Sequence, residues 1–286
     1  MNGTALVLGG GGPVGGAWLT GVLAGLADGG IDLTAADTVI GTSAGAVFGA
    51  RLASGEPARD LYERQLAGLD RVEMGVTAAQ TLRFLWAALA TRDPERSVRR
   101  LGHAALTART TPAHDLHDTV RTLLRDATAW PAQTTLRITA VDAETGSVEA
   151  FDAGSGLDLA DAVAASCAVP LVWPPTTALG RRWIDGGTRS TGNLQLAAGH
   201  RQVLAVSPVP TAVGPHPSAQ QQTMELRAAG ARTTLITPDT DARRAMGRDL
   251  TANARRPAAA RAGHRQGTAL AASLARTWPA RRTTGE

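Results

Sequence analysis

Short apolar runs bounded by glycine, each followed by apolar positions at three- and four-residue spacing, recur from the start of the chain. Thr4-Ala5-Leu6-Val7-Leu8 is apolar after its threonine, the pattern of a central parallel strand buried on both faces. Gly9-Gly10-Gly11-Gly12-Pro13-Val14-Gly15-Gly16 separates it from a helix predicted over Ala17 to Asp28, where Trp18, Leu19, Val22, Leu23 and Leu26 share one stripe. Gly29-Gly30 closes that helix. The next β-branched run, Val39-Ile40, enters Gly41-Thr42-Ser43-Ala44-Gly45 and an Ala-rich segment. The opening therefore reads as strand, glycine loop, helix, strand, sharp turn, helix.

From Gly55 to about Ala127 the periodicity is helical, with helices expected over Arg59–Leu69, Thr77–Ala90, Glu95–Ala108 and His114–Asp126. Phe84, Leu85, Trp86 and Leu89 form an apolar cluster there. The segment 55–127 is either a layer packed on the sheet or a lid that recognises an acyl chain. Leu136 to Val141 alternates as a strand and pairs with Ser147–Phe151 as a hairpin. Leu159–Cys167 is a short helix, and Pro174-Pro175 marks a loop. Arg182-Trp183-Ile184 is a brief strand that delivers Asp185-Gly186-Gly187. Val203–Val206 and Thr233–Thr237 add two strands, and the chain is helical from about Asp241. The alternation implies an α/β fold of three layers around a mostly parallel central sheet. Residues 1–200 carry the candidate chemistry, and 201–286 supply strands and helices that complete the same domain.

Composition narrows the setting. The chain has 286 residues, enough for a sizeable core. Its single Cys167 forms no internal disulfide, which suits a reducing cytoplasm. No run is long enough to span a bilayer, and the N-terminus lacks a basic segment before an apolar one. The expected location is cytoplasmic. A net charge of +4 is modest and calls for no nucleic-acid partner.

Ser43 at a strand-to-helix turn is how a fold presents a nucleophile. Glycines at positions 41 and 45 allow the turn to press against its neighbours. A glycine loop opening a helix directs unpaired N–H groups at negative charge. Gly10-x-Gly12-x-x-Gly15 also satisfies the dinucleotide fingerprint, but the second strand ends without the acid that would hold a ribose. The chain has no lysine, so it holds no P-loop. Serine needs a base. His200 and His216 follow the order of an α/β-hydrolase triad but stand in no motif, and that fold places several strands ahead of its serine. Asp185 is the other candidate, a carboxylate at a strand end beside apolar Trp183 and Ile184 that would raise its pKa. An ordinary Asp-Gly turn reads equally well from spacing alone.

Gly10-Gly11-Gly12-Pro13-Val14-Gly15, Gly41-Thr42-Ser43-Ala44-Gly45, Ala164 to Pro170 and Asp185-Gly186-Gly187 together resemble the ordered motifs of the patatin-like phospholipase family. The C-terminal Ala262 to Gly267 followed by Trp278 is similar to the last helix of bacterial members. The resemblance implies a Ser–Asp dyad acyl hydrolase of lipid esters that needs no metal or cofactor. It makes Ser43 the nucleophile, Asp185 the base, and the N–H groups of Gly10, Gly11 and Gly12 the oxyanion hole. Gly15, Gly41, Gly45, Gly186 and Gly187 support these motifs. Val14 stands where the family usually has a basic residue, which leaves headgroup preference open. A catalytically silent lipid- or nucleotide-binding protein on the same fold is the alternative. Arg255 to Arg282 holds seven arginines and either meets anionic membrane as a peripheral contact or is a solvated face.

Overall fold

The computed structural model describes residues 3–212 and 214–278. β1 (Thr4–Leu8) and β2 (Thr38–Gly41) lie parallel at the centre of one sheet, joined by α1 (Gly12–Asp28). α2 (Ala44–Ala53), α3 (Ala58–Leu66), α4 (Ala78–Leu89), α5 (Pro94–Leu106) and α6 (Ala113–Leu124) then precede β3 (Thr135–Asp142) and β4 (Val148–Phe151). α7 (Leu159–Cys167), β5 (Thr176–Ala178) and β6 (Arg181–Asp185) follow. The chain continues through β7 (Gln202–Val206), α8 (Ala219–Ala228), β8 (Arg232–Ile236), α9 (Thr240–Met246) and α10 (Arg256–Leu274). The strand order is β5-β6-β3-β2-β1-β7-β8, with β4 paired to β3 off that path. The sheet is parallel from β3 through β8 and antiparallel at the β4–β5–β6 edge.

Alternation of side chains along the central strands makes the three layers. Leu6, Leu8, Leu204 and Val206 face one core with α1, α2, α7 and α10. Ala5, Val7, Val203 and Ala205 face the opposite one with α8. α1 and α10 pack backbone to backbone: a Cβ at Gly21 or Gly25 would meet the carbonyls of Ala260 and His264, and one at Gly263 or Gly267 those of Trp18 and Val22. Trp18 is fully buried at this seam and donates Nε1–H to Gln266 Oε1 at 3.2 Å. A buried aromatic of this kind contributes roughly 1.5–3 kcal/mol.

One local expectation changes, and one strand is added. α1 begins at Gly12 rather than Ala17, because Pro13 sits in its first turn, where a missing N–H costs no hydrogen bond, and Leu250 O accepts from Val14 N–H at 3.0 Å. Pro174-Pro175 lie in a loop as expected, and directly after them comes β5, a three-residue edge strand zipped to β6 that the sequence did not mark.

Register brings the site together. Ile138 of β3 pairs with Gly41 on one side and Phe151 of β4 on the other. Ala140 pairs with Glu149 of β4 and Asp185 of β6. β2 and β6 therefore share one edge of β3, end to end. The end of β2 and the end of β6 meet about 7 Å apart along that edge.

Candidate active site

Ser43 lies at that junction with φ 54° and ψ −121°, a left-handed backbone that strains any residue with a Cβ. Its surroundings enforce the conformation. A Cβ at Gly41 would meet Ala46 Cα at 2.6 Å, and one at Gly45 would overlap the Leu8 carbonyl. Ser43 N–H donates to Ser166 Oγ at 2.9 Å, tying the turn to α7. Ser166 belongs to the Ala164–Pro170 motif, so the sequence marked it without indicating its task.

Asp185 is buried, and burial raises its pKa to about 6 against the opposing pull of the Ser43 hydroxyl and the Gly187 N–H. Gly187 donates to Asp185 Oδ1 at 2.6 Å, and Asp185 N–H is held by Ala168 O at 2.9 Å. Gly186 presses on Thr139, whose carbonyl a Cβ would approach to 2.6 Å. The Ser43 hydroxyl interacts with the carboxylate and pulls its pKa down, and catalytic contacts of this kind tighten when substrate arrives. A carboxyl tuned near 6 can accept a proton from a hydroxyl close to neutral pH.

One asparagine joins the two halves. Asn193, fully buried with φ 47°, donates Nδ2–H to Thr42 Oγ1 at 3.0 Å, to Gly186 O at 3.2 Å and to Ser190 O at 2.8 Å. Thr42 Oγ1 in turn lies 2.8 Å from Thr139 Oγ1. Nothing in the local sequence pointed to Asn193, since its partners are more than a hundred residues away in one case and main-chain carbonyls in the others.

The glycine loop lines the opposite side of Ser43. Gly10 packs so closely that a Cβ would stand 3.1 Å from Ser43 Cβ. Its N–H donates to Thr191 O at 2.8 Å, however, so the expectation that Gly10 offers an oxyanion donor is corrected: it buttresses the loop. Among the described residues, the N–H groups of Gly11, of Gly12 at the first position of α1, and of Ala44 at the first position of α2 have no acceptor. Ala44 was not among the sequence candidates, although its place directly after the elbow serine is a recognisable signal. Gly15 sits under the loop, where Pro208 leaves no room for a Cβ. Val14 points into the core and is fully buried.

Two cavities meet at Ser43. The inner one, about 110 Å³, is walled by Val47, Phe48, Val120, Leu123 and Trp173. Gln65, Asp70 and Arg256 also line it. Asp70 is clamped by Arg51 at 2.9 Å and Arg64 at 2.6 Å, while Arg256 donates to Gln65 Oε1 at 3.0 Å and is buried. Arg256 is therefore withdrawn from the basic C-terminal segment read as either a membrane contact or a solvated face, and Arg281 and Arg282 lie outside the described residues. The outer cleft, about 320 Å³, holds Ser43, Asp185, Gly11 and Gly12, with Phe84 and Leu85 of α4 on its flank. Cys167 faces the inner cavity, but burial and then the Asp185 charge push its thiol well up, so it stays protonated and unreactive.

The rival histidines lie elsewhere. His200 bonds Thr38 Oγ1 at 3.1 Å, at the N-terminal end of β2, whereas Ser43 follows its C-terminal end. His216 lines neither cavity at Ser43. Among the described residues no cluster of His, Cys, Asp or Glu has metal-binding geometry, and no helix is long and apolar enough to cross a membrane.

A strained serine opposite a buried carboxylate, on a three-layer α/β sheet, defines a serine-centred α/β protein distinct from the α/β-hydrolases. The chain belongs to the patatin-like phospholipase family, whose model matches residues 6–198, and that is a family of lipid hydrolases. Among solved structures it is similar to VipD from Legionella pneumophila, at 14% identity and a TM-score of 0.48, covering 96% of this chain and 67% of that one. It is also similar to the type III effector protein ExoU, at 16% identity and a TM-score of 0.37, covering 93% of this chain and 53% of that one. A complex of ExoU with SpcU from Pseudomonas aeruginosa matches at 17% identity and 0.38, over 93% and 52% of the two chains. The chain thus spans about half of ExoU and two thirds of VipD. A search of curated proteins returns no match.

Proposed function

We propose that the protein is a serine acyl hydrolase that cleaves fatty-acyl esters of lipids through Ser43 and Asp185. The Ser43 hydroxyl attacks the ester carbonyl as Asp185 takes its proton, and the N–H groups of Gly11 and Gly12 bind the oxygen that becomes negative. Collapse expels the alcohol, which leaves with the proton from Asp185, and an acyl-serine remains. Water, deprotonated by the same carboxylate, then releases the fatty acid and restores Ser43. Donors already fixed in place need no reorganisation when the charge develops, and removing one such donor elsewhere costs roughly a hundredfold or more in rate.

The observation that carries this reading is the meeting of a strained Ser43, a buried Asp185 with pKa near 6 and two unclaimed N–H groups in one cleft. The inner cavity suits an acyl segment: a dry cavity of roughly 150 Å³ takes a benzene-sized group, so about 110 Å³ takes the first few carbons of a chain. The outer cleft suits the remainder of the lipid.

A fluorophosphonate probe tests the reading directly. Covalent labelling is expected in the wild-type chain and lost in Ser43→Ala. A folded wild-type chain that takes no label would overturn the proposal in favour of a silent lipid-binding protein.

A further inference from the structure

α4 is built inside out. Its small Ala87 and Ala88 are buried against Leu101 and Ala104 of α5. Apart from Phe84, its large apolar residues face solvent instead: Leu82 is 70% exposed, Trp86 66% and Leu89 62%, with Leu85 completing the stripe at three- and four-residue spacing. This is a fixed platform, because a Thr77–Gln80 capping box closes its N-terminus and Gln80 Nε2 donates to Leu171 O at 2.7 Å. A stripe of this size left to water marks a place where something else covers it.

Beside the stripe lies a depression of about 590 Å³ lined by Arg83, Arg96, Arg99, Arg100 and His103, with no carboxylate in its wall. The Arg100 guanidinium sits 4.6 Å from the Trp86 ring centroid, and its Nε is buried without an acceptor. Among the described residues, the acids paired with these arginines are themselves solvent-exposed, Asp93 at 3.4 Å from Arg96 and Glu95 at 3.7 Å from Arg99, surface pairs of the kind that hold a side chain only weakly. On its other flank α4 contributes Phe84 and Leu85 to the outer cleft, and Val76 just before it does the same.

We propose that the α4 stripe and the arginine depression form one docking surface for a bilayer carrying anionic phospholipids. Leu82, Trp86 and Leu89 enter the boundary between headgroups and acyl chains, and the guanidinium groups take headgroup phosphates. The outer cleft then opens at the lipid surface, beside Leu85. A second copy of the chain is the poorer occupant, since a two-fold contact through the stripe would bring the two arginine depressions together. Docking requires no chemistry at Ser43, so it stands or falls apart from the hydrolase reading.

The experiment is co-sedimentation of the full chain, carrying Ser43→Ala, with vesicles of phosphatidylcholine alone or mixed equally with phosphatidylglycerol. Preferential binding to the anionic vesicles, weakened by salt, is expected. Arg96→Gln with Arg99→Gln should lower partitioning roughly 25-fold, at about fivefold per arginine. Leu82→Ser with Leu89→Ser should lower it more than tenfold. Both pairs, rebuilt on the Ser43 chain, should hydrolyse a water-soluble p-nitrophenyl ester as the wild type does. Should a pair lose its cooperative melt, Leu82→Ser alone is read in its place. The proposal is overturned by equal binding to both vesicle types, by wild-type binding in the Leu82/Leu89 pair, or by inorganic phosphate displacing the bound chain more strongly than sodium chloride of the same ionic strength. It is also overturned by a wild-type dimer that these substitutions dissociate.

Discussion

At the scale of single residues, Asp185 carries the clearest physical signature, a charge the fold would rather not bury. Its proton is held up to about 6 in the folded chain, against 3.8 for an ordinary aspartate. The folded state therefore binds more protons than the unfolded one between those values, and folding stability falls as pH rises through that window. The loss at neutral pH is on the order of 3 kcal/mol. Asp185→Asn keeps an acceptor for the Gly187 N–H and should gain stability of that order at about pH 8, with no gain at about pH 3. Urea unfolding at the two values checks this, and a variant less stable than wild type at pH 8 would contradict it. In the wild type, ester hydrolysis should rise with pH through about 6 and then level off, while the Asn variant is inactive throughout.

Among elements, the glycine loop, the elbow and the β6 end are held by partners distant in sequence. Asp70, in the wall of the inner cavity, is held instead by residues near it in the chain. Burial pushes its carboxyl up, but hydrogen bonds from Arg64 and Arg51 outweigh that and hold it below the usual range. Asp70→Asn removes the carboxylate shared by Arg51 and Arg64, while Arg51 keeps Glu56 at 2.6 Å, and should cost about 1–3 kcal/mol, read as a lower urea midpoint with an unchanged slope. At this scale the sequence was legible where periodicity is local. The strand over Thr4–Leu8 and the helix over Leu159–Cys167 fall where expected. The start of α1 at Gly12 was not legible, because it depends on Leu250 accepting from Val14. The α4 stripe was visible as apolar residues, but which way they faced depended on α5, whose packing takes up the alanines and Phe84 and leaves the rest outside.

For the whole molecule, two cavities joined at one serine imply a division of the substrate between them. Val120→Trp, projecting from α6 into the inner cavity, should fill it. Hydrolysis of long-chain p-nitrophenyl esters should fall roughly tenfold or more relative to the acetate, with kcat/KM compared across chain lengths. An unchanged preference would show that the acyl chain lies in the outer cleft.

The sequence alone determined the kinds of residue at the site: a serine between glycines, a glycine loop ahead of it, and an aspartate at a late strand end. Those follow from backbone demands that only glycine meets and from short-range strand and helix periods. The meeting of these parts was decided by tertiary structure. β2 and β6 share one edge of β3 only because sheet register sets Gly41 and Asp185 two residues apart on it. The assignment of Gly10 N–H to Thr191 and the link through Asn193 arise the same way. Hydrogen bonds and burial between residues this far apart leave no period in the chain, so they come into being only when the sheet closes.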